Sequence, residues 1–309
     1  MQQTTVSAVI PYFDRFCARW PDIEALAGAN LDDILREWAG LGYYARARNL
    51  HACAQKIVSD HGGVFPQTGA ELLKLPGIGP YTAAAIAAIA FSRPAVVVDG
   101  NIERIMARLH SMKTPLPRAK PEMRQLAAAL TPSRRGGDYA QALMDLGARI
   151  CRPKTPLCKQ CPVITHCRSY REGNPAYYPR RAPRKSRPLR HARIYWLERG
   201  DGRVLLRRRP PQGLLGGMME FPSSIWREEK PRAHDEAPAR ANWRRQPGEI
   251  RHVFTHFELH LTAYKARLED ASPMPAPVSG HWIAPSELAG QALPSVMRKM
   301  LKLCRTTTG

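Results

Sequence analysis

Three things are scarce in this chain of 309 residues. Aromatic side chains make up 7%, acidic residues number 26 against 47 lysines and arginines, and no hydrophobic run is long. The longest mostly apolar stretch, Tyr81 to Phe91, has 11 residues. A helix needs roughly 20 to cross a bilayer, so no membrane span is expected. The opening residues MQQTTVSAVIPYFDRF lack a basic stretch and a small-residue cleavage site, which argues against a secretory signal. The expected compartment is therefore the cytoplasm, where thiols stay reduced and clustered cysteines point to metal rather than disulfides. The shortage of acid leaves a net charge of +21 and a pI of about 10.2. A surplus of that size suggests a polyanion partner, nucleic acid before membrane. A merely basic, soluble protein is the plain alternative. A hydrophobic content of 44% excludes wholesale disorder, and the length suggests two domains.

The chain divides into three stretches, with no internal repeat. Residues 1–168 are helical in rhythm. Val6, Ile10, Phe13 and Cys17 recur at four, three and four, laying one apolar stripe along a helix. Asn30 is placed to cap a helix carrying Leu31, Ile34 and Leu35, with Asp33 three residues on. Leu50, Cys53, Ala54 and Ile57 form another stripe, closed by Gly62 and Gly63. Cys17 and Cys53 are expected in cores and Cys304 to be incidental. Alanine-rich Tyr81–Ala90 favours helix, and Asp138–Ile150 predicts a helix running into Cys151. Residues 169–193 mix prolines with eight arginines and lysines, which predicts a stiff, exposed linker, either a solvated spacer or a phosphate contact. Residues 194–305 switch to period two. Ile194–Leu197, a Gly200-Asp201-Gly202 turn and Val204–Leu206 read as a hairpin. The alternation from Val253 to Leu261 reads as a strand with one buried face. A last helix is expected from Ser295 to Leu303, and 227–250 as an irregular insertion. The fold class is thus multidomain, all-α and then α/β.

Four of the seven cysteines, Cys151, Cys158, Cys161 and Cys167, form a C-x6-C-x2-C-x5-C array within 17 residues. Thiolates so close together suit a thiophilic metal. Structural zinc usually takes two tight pairs, and only Cys158–Cys161 is tight. The wider loops suit an iron–sulfur cubane, each cysteine holding one iron corner. Arg149, Arg152, Lys154 and Lys159 ring the loop, facing phosphate on this reading.

Leu75-Pro76-Gly77-Ile78-Gly79 lies between two helical stretches. Its glycines allow a tight turn at a helix entrance, with backbone N–H groups exposed to a DNA phosphate. A bare helix–helix connection would use similar residues. Further on, Val96-Val97-Val98-Asp99-Gly100-Asn101 brings a carboxylate to the start of a helix. Asp99 or Asn101 can be a simple N-cap, or a carboxylate held at the helix dipole to face a developing cation.

LPGIGPYTA, VDGN and the four-cysteine loop, taken together, closely resemble the endonuclease III superfamily of helix-hairpin-helix base-excision DNA glycosylases. Within it the chain is similar to the adenine DNA glycosylases, through QQTTV, GLGYYARARNL, MDLGARIC, GLLGGMMEFP and HVFTHF. The resemblance covers nearly the whole chain. It implies a helix-hairpin-helix domain with a [4Fe–4S] loop at 151–167, followed by a Nudix-like recognition domain. No G-x5-E-x7-R-E-x2-E-E-x-G box is present, so that domain is expected to read a lesion rather than hydrolyse a nucleotide.

The implied reaction flips adenine, mispaired with 8-oxoguanine or guanine, out of double-stranded DNA and cleaves its glycosidic bond. Asp99 matches the aspartate that stabilises the sugar cation, with Asn101 beside it and Tyr81 lining the site. Lyase relatives carry a lysine at the position of Tyr81, and a phenol cannot form their Schiff base. A monofunctional hydrolase is therefore expected, with an endonuclease III-type lyase as the lesser alternative. Gln3 and Thr4 match the segment that wedges into the duplex, and Leu41, Gly42 and Tyr43 a neighbouring loop. Leu75, Gly77, Ile78 and Gly79 match the DNA-binding hairpin. Phe254, Thr255 and His256 match the 8-oxoguanine-reading loop, where the family usually has serine in place of Thr255. Cys151, Cys158, Cys161 and Cys167 match the cluster ligands. A monomer at the bacterial nucleoid, with no membrane contact, is implied.

One departure concerns the acid that protonates adenine. In the family this glutamate lies about one helical turn before the position of Gln2. Neither Glu103 nor Asp145 matches its motif. Losing a general acid typically costs about 10²–10⁴-fold, so residues 1–309 alone are expected to be nearly inactive, with apolar surface left uncovered. Two readings stay open: an intact enzyme encoded from further upstream, or a protein that binds mispairs without excising adenine.

Overall fold

The computed structural model describes residues 6–183, 186–231, 234, 236–268 and 280–306. Gln3 and Thr4 lie outside the described residues. The chain packs as two compact units, one of residues 3–51 with 185–309 and the other of residues 52–184. Residues 6–51 fall in the same unit as the C-terminal stretch. No helix among the described residues is long and apolar enough to cross a membrane.

The first unit opens with α1 (Val6–Arg19), α2 (Ile23–Ala27), α3 (Leu31–Trp38) and α4 (Ala45–His61), the last running across the division after His51. Asn30 caps α3 by accepting from Asp32 N at 2.8 Å, the role its sequence context predicts. Ile34, Leu35, Tyr44 and Ala47 are buried with Met218 and Ala292. Asp32 also holds the Arg208 guanidinium through both oxygens, each at 2.6 Å. Hydrophobic burial and a bidentate ion pair thus tie α3 to the C-terminal stretch.

The α1 stripe differs from its expectation. Phe13 is 64% exposed, and Ile10 and Cys17 are exposed as well. Phe13 and Cys17, with Phe16, Trp20, Trp38, Leu41 and Leu50, border an open apolar cavity of about 360 Å³. Cys53 and Cys304 are buried. Cys304 packs in the core rather than being incidental, and burial pushes its thiol up to about 12.

The C-terminal stretch is built on β1 (Leu189–Glu198), β2 (Val204–Arg208), β3 (Met219–Glu220), β4 (Arg244–Arg245), β5 (Ile250–Val253), β6 (Glu258–Arg267) and β7 (His281–Ile283). Their order is β3-β2-β1-β6-β4, with β5 also on β6 and β7 also on β2. β1 and β6 run parallel in register from Leu189↔Glu258 to Glu198↔Arg267. The period of two divides their side chains between two cores. Ile194, Trp196, Leu259 and Leu261 meet Met297 and Met300 of the last helix (Ser295–Thr306). Leu197 and Ala266 meet Ala239 and Trp243. The stretch 227–250, expected to be irregular, therefore covers one face of the sheet. The expected strand across 253–261 is broken: Phe254 N donates to Phe257 O at 2.9 Å, turning β5 into β6.

The second unit carries α5 (Gly69–Leu72), α6 (Pro80–Ala90), α7 (Gly100–Leu109), α8 (Lys120–Leu130), α9 (Gly136–Asp145) and α10 (Arg168–Arg171) around a core of Ile102, Ile105, Met106, Met123 and Ala127. With them named, the last helix, Ser295–Thr306, is α11. The expected linker over 169–193 is exposed along most of its described residues, with a few buried anchors. Ser169 and Tyr178 are buried, Leu116 bridges to Arg181, and β1 starts at Leu189.

Met297 is fully buried, and Met297→Ala is expected to cost about 2–5 kcal/mol of stability. Phe13→Ser, on the exposed stripe, is expected to change it by less than about 0.5 kcal/mol. Urea unfolding of residues 1–309 measures both, and comparable losses would contradict this division between core and surface.

Candidate active site

The hairpin joins α5 to α6. Thr68 and Glu71 cap α5 reciprocally: Glu71 N donates to Thr68 Oγ1 at 3.3 Å and the hydroxyl donates to Glu71 Oε2 at 2.6 Å. Ile78 N donates to Leu75 O at 3.2 Å, with Leu75 buried as the anchor and Gly77 at φ +76° between them. That φ belongs to the left-handed region, which glycine enters without a Cβ penalty. Gly79 is the N-cap of α6 and makes no side-chain bond there, with Pro80 following. A helix start without a side-chain cap leaves backbone donors for an anion. Tyr81, on the first turn, packs half-buried against the core that holds Ile102.

Asp99 is the N-cap of α7 and is 6% exposed. Its Oδ1 accepts from Asn101 N at 2.9 Å and Ile102 N at 2.8 Å, and its Oδ2 from Asn101 Nδ2 at 3.2 Å. The simple capping role is thus real. It also fixes a nearly buried carboxylate in one orientation, at the positive end of a helix dipole.

Asn101, Arg104 and Arg108 follow at spacings of three and four, on one side of α7. Arg104 NH2 donates to Asn101 Oδ1 at 2.8 Å and to Gly147 O at 2.7 Å, and its Nε donates to Cys151 O at 2.7 Å. Arg108, 2% exposed, donates from NH1 to Cys151 Sγ at 3.2 Å and Arg152 O at 2.8 Å. Its NH2 reaches Pro153 O at 2.8 Å and its Nε Tyr178 O at 3.1 Å. Five donors in a rigid fork suit this work, whereas an ammonium could not span the same carbonyls. The sequence reading missed both arginines. Their signal was the N-x2-R-x3-R spacing directly after Asp99.

Gly147 explains how close the loop comes. It sits in a π-helical turn, Leu146–Ile150, that replaces the end of the expected helix before Cys151. A Cβ on Gly147 would stand 2.5 Å from Asn101 Cβ. Such π turns are frequent at functional sites. Glu103 is accounted for by an ion pair with Lys120 at 2.9 Å.

Cys151, Cys158, Cys161 and Cys167 line one cavity, together with Arg108 and the apolar Ile150, Pro156 and Ile164. Burial pushes the Cys158 thiol up, and Cys151 and Cys167 push it further, while Arg108 opposes them. Burial raises Cys161 as well. Crowded thiols under a buried cation are a donor set for a group that takes their negative charge. Among the described residues no three His, Cys, Asp or Glu groups are set to hold one metal ion. The four thiols lining one cavity fit a group held through several sulfur ligands.

The other expected residues lie in the first unit. Gly40, Gly42 and Tyr43 all have positive φ, at +115°, +70° and +47°. Tyr43 is exposed and pays strain for that conformation. Trp38 Nε1 donates to Gly42 O at 3.0 Å, and Leu41 borders the apolar cavity. Phe254, Thr255 and His256 form the tip of the β5–β6 hairpin. Phe254 is wedged among His252, Phe257 and Trp226, with ring centroids at 4.6, 4.8 and 5.7 Å. Thr255 and His256 are exposed.

Residues 1–132 match the HhH-GPD superfamily of base excision DNA repair proteins, and residues 193–303 match the NUDIX domain. The adenine DNA glycosylase of Mus musculus is 32% identical over 98% of this chain and 69% of its own. That of Homo sapiens is 33% identical over 98% and 66%. This chain thus spans about two thirds of their length. The solved structure of a thermostable thymine-DNA glycosylase, 29% identical, superimposes with a TM-score of 0.51 over 55% of this chain and 80% of that one. The chain belongs to the adenine DNA glycosylase family.

Arg108→Met leaves three carbonyls, one of them buried, without their donor and is expected to cost about 3–5 kcal/mol. Arg108→Lys is expected to recover less than half of that. Thermal unfolding with the iron content of each variant measures this, and a wild-type melting curve for Arg108→Met would contradict it.

Proposed function

We propose that this protein removes adenine paired with 8-oxoguanine, or with guanine, from double-stranded DNA by hydrolysis, without cutting the strand. The observation that carries the reading is the fixed Asp99 carboxylate. Cleavage of the glycosidic bond leaves positive charge on the sugar, and an oriented anion stabilises it without reorganising. Asn101 and Arg104 hold that orientation as positioning residues. Tyr81 offers a phenol and no amine, so covalent capture of C1′ as a Schiff base has no nucleophile there.

The hairpin from Leu75 to Gly79 would hold backbone phosphate, which carries affinity without sequence information. Gln3, Thr4 and the strained Leu41–Tyr43 turn would meet the mispair, and Phe254-Thr255-His256 would read 8-oxoguanine. Named relatives in mouse and human support the choice of adenine. Cys151, Cys158, Cys161 and Cys167 would hold a [4Fe–4S] cluster, which when bound supplies a cross-link that fixes the loop. The protein would act as a monomer.

Asp99→Asn separates capping from chemistry, because the amide oxygen still accepts from Asn101 N and Ile102 N. Its single-turnover adenine release from an A:8-oxoguanine duplex is expected to fall about 10²–10³-fold, with about 1–2 kcal/mol of stability lost where the new amide faces Asn101 Nδ2. The assay is run on residues 1–309 and on the chain lengthened by any in-frame codons ahead of Met1. Adenine release from neither form, or strand nicking trapped by borohydride, would sink the reading. Iron and acid-labile sulfide in equal amounts are expected in the purified protein, with zinc as the adverse result.

A further inference from the structure

The sheet of the C-terminal stretch splits beside β1. Its end pairs with β2 at Glu198↔Val204, while its first half pairs with the segment after β3. Bridges at His191↔Arg227 and Ile194↔Ser223 frame that pairing. Three steps along β1 (191 to 194) answer to four along the segment (223 to 227), so the segment carries one extra residue and bulges. A cavity of about 590 Å³ lies at the split, lined by Arg190, Arg207, Arg209, Ser223, Ser224 and Trp226 among others.

Its cations are held in place in advance. Glu220, 2% exposed, accepts from Arg207 Nε at 2.6 Å and from NH1 of Arg209. Arg207 NH2 donates to Ser223 O and Arg209 Nε to Leu214 O, both at 3.1 Å. These contacts fix both guanidinium planes and leave a terminal nitrogen of each without an acceptor among the described residues. Arg190 stacks on Phe257 at 4.5 Å and has no carboxylate partner among the described residues. The acid that lines the cavity, Glu236, is taken by Arg227 at 2.5 Å and by Ile225 N. Three guanidiniums, two of them held by Glu220, therefore line a recess whose one lining carboxylate is already paired and which also offers two serine hydroxyls.

We propose that this cavity is a binding site for a phosphate group, carried by a nucleotide or by a DNA strand. Fixed arginine forks match phosphate oxygens, and the ordering cost of binding is reduced because Glu220 already holds two of them. Trp226 lies under Arg209 at 5.0 Å and stacks on Phe254 at 5.7 Å, so the site is in contact with the β5–β6 hairpin. The proposal uses none of the residues assigned to excision.

Calorimetric titration of the full chain with inorganic pyrophosphate tests it. Binding is expected, weakened at least about tenfold in Arg190→Gln, a substitution that breaks no hydrogen bond among the described residues. In the unmodified chain, pyrophosphate is also expected to shield Arg190 and Arg207 from phenylglyoxal, read by peptide mass. Two arms separate the sources. Loss of duplex affinity in Arg190→Gln, with a salt slope smaller by about one, assigns a strand phosphate. Unchanged duplex affinity, with binding of deoxyguanosine monophosphate, assigns a free nucleotide. Absence of both heat and shielding overturns the proposal, as does pyrophosphate binding that Arg190→Gln leaves unchanged.

Discussion

The buried guanidinium of Arg108 is the contact on which the second unit depends. It ties α7 to the cysteine loop and to Tyr178 in one stroke, satisfying three carbonyls and touching one thiol. A cation this deep is costly unless it is well partnered, and here the loop is wound so that each of its three nitrogens finds an acceptor. One turn earlier Arg104 repeats the pattern toward Asn101 and Gly147. The carboxylate of Asp99 stands at the head of the same helix. α7 thus acts as a rail: its cap presents an anion and its side fastens the segment that carries the cysteines.

Much of this was legible because it is local. A carboxylate before a helix, glycines in a short turn and four cysteines within one loop announce themselves by spacing. The resemblance carried by LPGIGPYTA, VDGN and the cysteine loop agrees with the family to which the chain belongs. Arg104 and Arg108 were not legible in the same way, because charged residues on a helix read as its solvated face. Only a fold that wraps the 151–178 segment against α7 makes them interior. In residues 169–193 proline and arginine dominate the composition and most described residues are exposed, while the buried anchors Ser169 and Tyr178 gave no such signal. The apolar stripe of α1 misled: its period was real, yet periodicity does not say what covers a face. The alternation from Val253 to Leu261 hid a turn, because period two persists through a tight hairpin.

Non-local pairing was beyond reach of the sequence. Nothing in residues 188–228 shows that β1 changes partners halfway, or that the extra residue opposite 191–194 opens a recess. Arg190, Arg207 and Arg209 sit on two different segments, and Glu220, which orders two of them, belongs to a third.

The placement of the three cysteines outside the loop has a practical side. Cys53 and Cys304 are shut off by burial, which also keeps both thiols in the protonated, unreactive form, while Cys17 stands open. An alkylating reagent applied to the folded protein at neutral pH therefore has one constant target and four conditional ones. The mass of the labelled chain becomes a direct readout of how many of the four loop thiols are free to react, molecule by molecule, without removing anything from the protein.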